Sequence, residues 1–302
     1  MEEIMARPFN FRMPREVIFE AGCSSRAAAK AAALGAKRPV FITGRRMAES
    51  AELAKLLSAA KAAGMEPLHW RDVEPEPPAA LLYRAAADIR AFGGDCLIAL
   101  GGGSSMDFAK MAAVLAKYPE IEVGEMVGSE RVPARGLPTV MIPTTAGSGS
   151  EVSAVAVFSF PEDKMKKGVA SGNIVADAAL VDPLLTLDLP PHITAAAGMD
   201  ALVHAVESYL SLGTNPLTQD FALASIRKIV PNLAACVREP HNIAARTAQA
   251  YGSLTAGMAF AMSGTAGVHA IAYPLGGEFH VPHGEANTAM LRWVMEYNLE
   301  GC

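Results

Sequence analysis

The chain has 302 residues, 51% of them hydrophobic, so it is long and apolar enough for two packed domains. A net charge of −5, with no basic cluster beyond Lys164, Lys166 and Lys167, argues against nucleic-acid binding. No apolar run reaches membrane-spanning length without Gly, Pro or charge, no long apolar leader opens the chain, and Cys23, Cys96, Cys236 and Cys302 show no paired spacing. These features exclude a membrane protein, a disulfide framework and a thiolate zinc site, and a cytoplasmic protein with reduced cysteines is expected.

In chain order, Arg15 to Gly22 reads as a strand, an alanine-rich helix follows over about Ser25 to Leu34, and Pro39 to Thr43 is a second strand. A helix over Ala51 to Ala63, a strand near Glu66 to Trp70, a turn at PEPP (75–78) and a helix over Ala79 to Phe92 continue a β-α-β-α rhythm. Cys96 to Leu100 (CLIAL) is wholly apolar, the pattern of a strand buried on both faces of a parallel sheet. Gly101, Gly102, Gly103, Ser104 and Ser105 follow, where that strand turns into a helix near Met106. Glycines admit an anion close to the backbone, and the N–H groups and dipole of the following helix favour negative charge there.

A glycine triplet is also a common tight connection. A second loop of small and hydroxyl residues, PTTAGSGSE (143–151), ends the strand over Pro138 to Ile142 and strengthens the phosphate reading. In open α/β sheets ligands lie beyond the carboxyl ends of strands. The linear GxGxxG fingerprint is absent after the first strand, so the layout is Rossmann-like with a late phosphate loop. Strand patterns run from Val152 to about Asp182, and Pro190 with Pro191 ends the sheet region. Helices are expected over 192–211, 216–229, 241–262 and 264–272. The fold class is therefore α/β, with an N-terminal Rossmann-like, mostly parallel sheet domain over 1–188 and an all-helical C-terminal domain over 189–302.

The second half holds the metal-binding residue types. Asp200 and His204 are four apart in a helical stretch and so share a face; His269 sits in an apolar run and His283 follows a proline. Each has an ordinary alternative: an Asp near a helix start complements the dipole, and a His in an apolar run is a common core residue. Together they could converge on a divalent metal. Nitrogen and oxygen donors without thiolate suit Fe2+ or Zn2+. Among the remaining histidines, His280 is close enough in sequence to reach such a site.

The motifs GGGSSMDFAK (101–110), PTTAGSGSEVS (143–153), VDPLLTLDLPPHITAAAGMDALVHAVESYLS (181–211) and VHAIAYPLGGEFHVPHGEAN (268–287) resemble the iron-containing (group III) alcohol dehydrogenases over essentially the whole chain. The resemblance implies an NAD(P)-dependent oxidoreductase acting on a small alcohol or aldehyde, and a homodimer. It assigns Asp200, His204, His269 and His283 to the metal, and Gly101, Gly102, Gly103 and Ser104 to the pyrophosphate. Asp107, Thr144, Thr145 and Ser148 match residues lining the nucleotide, and Lys166 or Lys167 matches a lysine near the cofactor.

Three departures stand out. Tyr273 occupies the place of a family histidine tied to proton transfer, and members with Tyr-Pro-Leu-Gly resemble hydroxybutyrate dehydrogenases, which implies a carboxylate-bearing substrate such as succinic semialdehyde. Proton release is then expected through Tyr273, His280, or cofactor ribose and water. Where many members carry an Asp for the adenosine ribose, this chain has Gly44 followed by Arg45 and Arg46, which favours NADP over NAD. The chain stops at Leu299 to Cys302, short of the family's usual end, which implies an incomplete helical domain with exposed apolar helix faces. The alternatives are a dehydroquinate-synthase-like or glycerol-phosphate-dehydrogenase-like enzyme, which would want cations facing the substrate, and a fragment acting only in binding or dimerisation.

Overall fold

The computed structural model describes residues 8–163 and 165–300, so Lys164 and Cys302 lie outside the described residues. The first half supplies strands β1 (Glu16–Phe19), β2 (Pro39–Gly44), β3 (Leu68–Val73), β4 (Cys96–Gly101), β5 (Gly128–Ser129), β6 (Thr139–Pro143), β7 (Val155–Phe160), β8 (Met165–Ala170) and β9 (Ala178–Val181). Its helices are α1 (Ala27–Ala33), α2 (Arg45–Ala48), α3 (Ala51–Ala62), α4 (Ala80–Phe92), α5 (Gly103–Lys117) and α6 (Val123–Met126). The second half is helical: α7 (Pro191–Leu210), α8 (Pro216–Arg238), α9 (Ile243–Ser263), α10 (Gly267–Phe279) and α11 (His283–Glu300).

Six strands form one parallel sheet in the order β1-β9-β6-β4-β2-β3. The wholly apolar β4 is fully buried because alternate residues face two cores. Leu97 and Ala99 join Val40, Ile42 and Met141 on one side, while Ile98 and Leu100 join Phe41, Val140 and Ile142 on the other. This two-sided burial is what a parallel sheet covered by helices requires. The direction of strand addition reverses between β2 and β4, so their carboxyl ends flank the crevice where such sheets bind ligands. Pairing of Gly101 with Pro143 sets the two small-residue loops side by side.

A second sheet, β5-β8-β7, turns Val152 to Ala170 into an antiparallel pair beside the main sheet. Among the helices, α7 starts with Pro191 in its first turn, and Asn215 and Asn242 cap α8 and α9 by accepting from Thr218 N and Ala245 N. Helix α8 runs past its expected end at 229, through Pro231, and α10 runs past 272, through Pro274. Both prolines are exposed, as are Arg227 and Ala270 four residues earlier, so water can take the carbonyls that lose a helical partner. Helix α11 was not expected from periodicity. Phe279, Trp293, Tyr297 and Leu299 on α10 and α11 are exposed.

Candidate metal and nucleotide site

Helix α7 carries Asp200, His204 and Glu207 on one buried face. His269 comes from the first turn of α10, and His283 opens α11, with Asn287 one turn further on. Asp200 Oδ1 lies 3.8 Å from His269 Nε2 and 3.7 Å from His283 Nε2. These separations are a few tenths of an ångström wider than the ~3.4 Å edge of a tetrahedron with bonds of ~2.1 Å. One donor atom from each of the three lies within 4.8 Å of the others. His204 adjoins this trio: its Nε2 is 3.0 Å from His269 Nε2, its Nδ1 is 3.9 Å from Asp200 Oδ2, and its ring stacks on Phe260.

Two residues that sequence reasoning missed complete the cluster. Glu207 is fully buried, faces His269 Nδ1 at 2.5 Å, and accepts from Val268 N at 2.5 Å. That bond fixes a proton on Nδ1 and leaves Nε2 as a lone pair facing Asp200. The signal was available, since Glu207 is seven residues after Asp200. Asn287 donates from Nδ2 to Asp200 Oδ1 at 2.7 Å, with His269 Nε2 at 3.1 Å and His283 Nε2 at 3.2 Å.

The electrostatics suit a cation. Burial works against the Asp200 carboxylate, but the neighbouring imidazoles and the Asn287 amide hold it below the usual range. Burial pushes His204 down to about 4 and lowers His283, so both present neutral rings at ordinary pH. The buried Oδ1 of Asn287 has no partner although its amide is surrounded by ligand-type atoms. One carboxylate, neutral imidazoles and an orphaned amide oxygen fit a divalent metal. Glu207→Gln is expected to weaken divalent-metal affinity about 10–100-fold, because it removes the charge that orients His269. Competition with a metallochromic chelator measures this, and wild-type affinity would count against the orienting role.

A cleft of about 270 Å3 runs from Gly103 and Ser104 to Asp200, His204, His269 and His283, with Asp107, Ser148 and Lys166 also on its walls. Gly101, Gly102, Thr144 and Thr145 lie behind this surface. Thr144 N donates to Gly101 O at 2.9 Å, and Gly102 packs on the Thr145 hydroxyl. A methyl group on Gly149, whose φ is +60, would lie 2.4 Å from Gly257 Cα, so glycine alone lets the second loop rest on α9.

Other expected residues lie elsewhere. Gly44 and Arg45 stand at the carboxyl end of β2, and Arg45 shares a separate hollow with Arg71 and Asp72. Arg46 instead donates to Asp188 O at 2.8 Å. Lys167 turns outward to pair with Asp163, and Lys166 turns inward. His280 forms the left-handed cap of α10, is exposed, and does not line the cleft. Tyr273 does, with its ring stacked on His283 at 5.7 Å. Burial, then the charges of Asp200, Asp107 and Glu207, push its phenol up to about 12. It therefore keeps its proton at neutral pH and offers a donor, not a base.

The sequence profile of the iron-containing alcohol dehydrogenases matches residues 14–183, and that of the family's C-terminal region matches 194–302. Long-chain-alcohol dehydrogenase 1 of Geobacillus thermodenitrificans (strain NG80-2) is 41% identical over 271 residues, which is 89% of this chain and 68% of that protein. The crystal structure of a 1,3-propanediol oxidoreductase matches with a TM-score of 0.93 at 35% identity, covering 97% of this chain and 76% of that one. Sulfoacetaldehyde reductase from Bifidobacterium kashiwanohense, solved in complex with NAD+, matches with a TM-score of 0.90 at 31% identity, covering 97% and 77%. On the extent of these matches, the chain belongs to the iron-containing alcohol dehydrogenase family.

Proposed function

We propose that the chain interconverts a small primary alcohol and its aldehyde with NADP(H) or NAD(H), at a divalent metal held by Asp200, His204, His269 and His283. The cleft lies between an α/β unit (1–188) and a helical unit (189–302), and a cytoplasmic homodimer belongs to the same reading. The observation that carries it is the single cleft joining the Gly103–Ser104 loop to the Asp200, His269 and His283 cluster. Relatives named for long-chain alcohols, propanediol and sulfoacetaldehyde support the reaction class and leave the substrate open. Donors of nitrogen and oxygen suit Fe2+ or Zn2+.

When bound, the metal supplies Lewis acidity to an alcohol or aldehyde oxygen, and the nicotinamide supplies the hydride chemistry. The chain supplies position and environment. Glu207 fixes the His269 ring, and Asn287 holds Asp200. Phe260 and Ile193 give the cleft wall beside the cluster an apolar face. The Tyr273 hydroxyl stays protonated on the cleft wall, where it would donate to a substrate oxygen and would not serve as an ionised base.

The cofactor reading leans to NADP. Gly44 stands where a carboxylate would meet a ribose 2′-hydroxyl, and Arg45 and Arg71 bring two cations to the hollow beside β2 and β3, which also holds Glu49 and Asp72. Arg45→Ala is expected to raise the KM for NADPH by about tenfold, the loss of one charge-assisted contact, and to leave the KM for NADH nearly unchanged. Equal effects on both would defeat the preference. The reading as a whole is tested by NADPH and NADH oxidation over a panel of aldehydes; a metal-loaded chain that oxidises neither cofactor with any of them overturns it.

A further inference from the structure

Helix α7, which carries Asp200 and His204, is pressed from two sides at Ala196 and Ala197. Ala197 precedes Asp200 by three residues and His204 by seven, so the three share one helix face. Gly147, in the middle of the second small-residue loop, rests directly on Ala197. A methyl group at Gly147 would lie 2.7 Å from Ala197 O and 2.9 Å from its Cα, too close for either to bear. On the other side Gly284, next to His283, rests on Ala196 in the same way, and a methyl group there would lie 2.4 Å from Ala196 O. The loop is held from behind as well. Ala146 O accepts from Gln249 Nε2 at 3.3 Å, and Ser148 packs on Gly103 at the start of α5. An unbroken line of contacts thus runs from the phosphate loop through Ser148 and Gly147 to the helix of Asp200 and His204.

His204 gives this line a polar end. Its Nε2 faces His269, while its Nδ1 is buried without a hydrogen-bond partner. Burial lowers the ring, and the backbone of Gly147 is among the groups that oppose burial, as a carbonyl facing an imidazole N–H does. Closer approach of the loop to α7 would complete a bond from Nδ1 to that carbonyl and fix the tautomer that leaves Nε2 as a lone pair.

We propose that Gly147 is a positioning residue for His204, and that its contact with Ala197 links the nucleotide and the metal, so that each binds more tightly when the other is present. This rests on the alcohol dehydrogenase reading above and adds a dependence between its two ligands. A nucleotide bound along Gly103 and Ser148 holds the loop against α7. A metal held by Asp200 and His204 fixes the face of α7 that the loop meets. The shared contact is then ordered once for two ligands, which is the condition for positive linkage, and the gain is equal in both directions. Gly147 is not on the cleft wall, so it acts through this contact and not on either ligand.

The test needs no turnover. It uses the full chain, Zn2+ at free concentrations set by a chelator buffer, and the tighter-binding of ADP-ribose and its 2′-phosphate, which carry the pyrophosphate but no nicotinamide to meet the metal. Saturating nucleotide fragment is expected to tighten Zn2+ binding by about tenfold, and saturating Zn2+ to tighten the fragment by the same factor in calorimetric titration. Gly147→Ala drives the loop off α7 and should bring that factor close to one. Ala197→Gly removes a methyl from the other side of the contact without adding bulk; it should lower the factor as well, and it decides the matter if the alanine variant does not fold. Unlinked affinities in wild type, a linkage seen with NADPH but not with the fragment, or a factor that the variants leave unmoved overturns the proposal. A chain that binds Zn2+ but neither fragment nor NADPH or NADH overturns the dehydrogenase reading with it, whereas unlinked binding of metal and nucleotide overturns the linkage alone.

Discussion

Replacing His269 with alanine is expected to abolish retention of a divalent metal and aldehyde reduction together. The imidazole contributes the lone pair nearest to Asp200 and His204, with Nε2 at 3.8 Å from Asp200 Oδ1 and 3.0 Å from His204 Nε2. Its removal also strands Glu207, whose buried Oε2 would lose its partner while Oε1 keeps the Val268 N–H. Leaving that group unsatisfied costs about 1–3 kcal/mol or more. The loss of metal affinity should exceed the roughly 10–100-fold expected for Glu207→Gln, which alters only the support. Elemental analysis of dialysed protein checks the first effect and chelator-free thermal melts the second. Wild-type occupancy would remove His269 from the ligand set.

The second large effect is expected at Lys110, which no cofactor assignment covers. Its side chain is fully buried, and Nζ donates to Ser150 Oγ at 2.9 Å and Val155 O at 2.8 Å, with Asp107 Oδ1 at 3.7 Å. Ser150 passes this on by donating to Asp107 Oδ1 at 2.5 Å, and Val157 N donates to Oδ2 at 3.0 Å. Burial raises the Asp107 carboxyl and Lys110 opposes it; burial likewise lowers Lys110, opposed by Asp107. Lys110→Met leaves the carboxylate with the Ser150 and Val157 donors but no cation in the cleft wall, and is expected to cost about 3–5 kcal/mol. Asp107 should then take up a proton at a higher pH than in wild type, because the cation that favours its charged form is gone. Urea unfolding at two pH values checks both statements, with the larger loss at the higher pH, where the stranded carboxylate must be charged. A change below about 0.5 kcal/mol would place Lys110 outside the support of this wall.

The legible parts of this molecule were those set by local pattern. The apolar run at Cys96 to Leu100 could only be a doubly covered strand, and the glycines after it marked the crevice end of the sheet. The spacing of Asp200 and His204 fixed one helix face, which in the structure also carries Glu207. What escaped was governed by exposure and by partners distant in sequence. The helices expected over 216–229 and 264–272 run on through Pro231 and Pro274, because both prolines lie on solvent faces where a lost helical bond is cheap. His280 lies three residues from His283, but a left-handed cap turns it outward. The division of labour between Lys166 and Lys167 depends on which face of β8 meets Glu76, ninety positions away from Lys166. Nothing local to the PEPP turn marks Glu76 as that partner.

The most direct test of the account is aldehyde-dependent NADPH or NADH oxidation measured on the same preparations whose bound metal is quantified, from chelated to fully reloaded. The account predicts a rate that vanishes on chelation and rises in proportion to Fe2+ or Zn2+ restored to wild-type protein, with no recovery in His269→Ala. An undiminished rate in protein shown to hold no metal would contradict it.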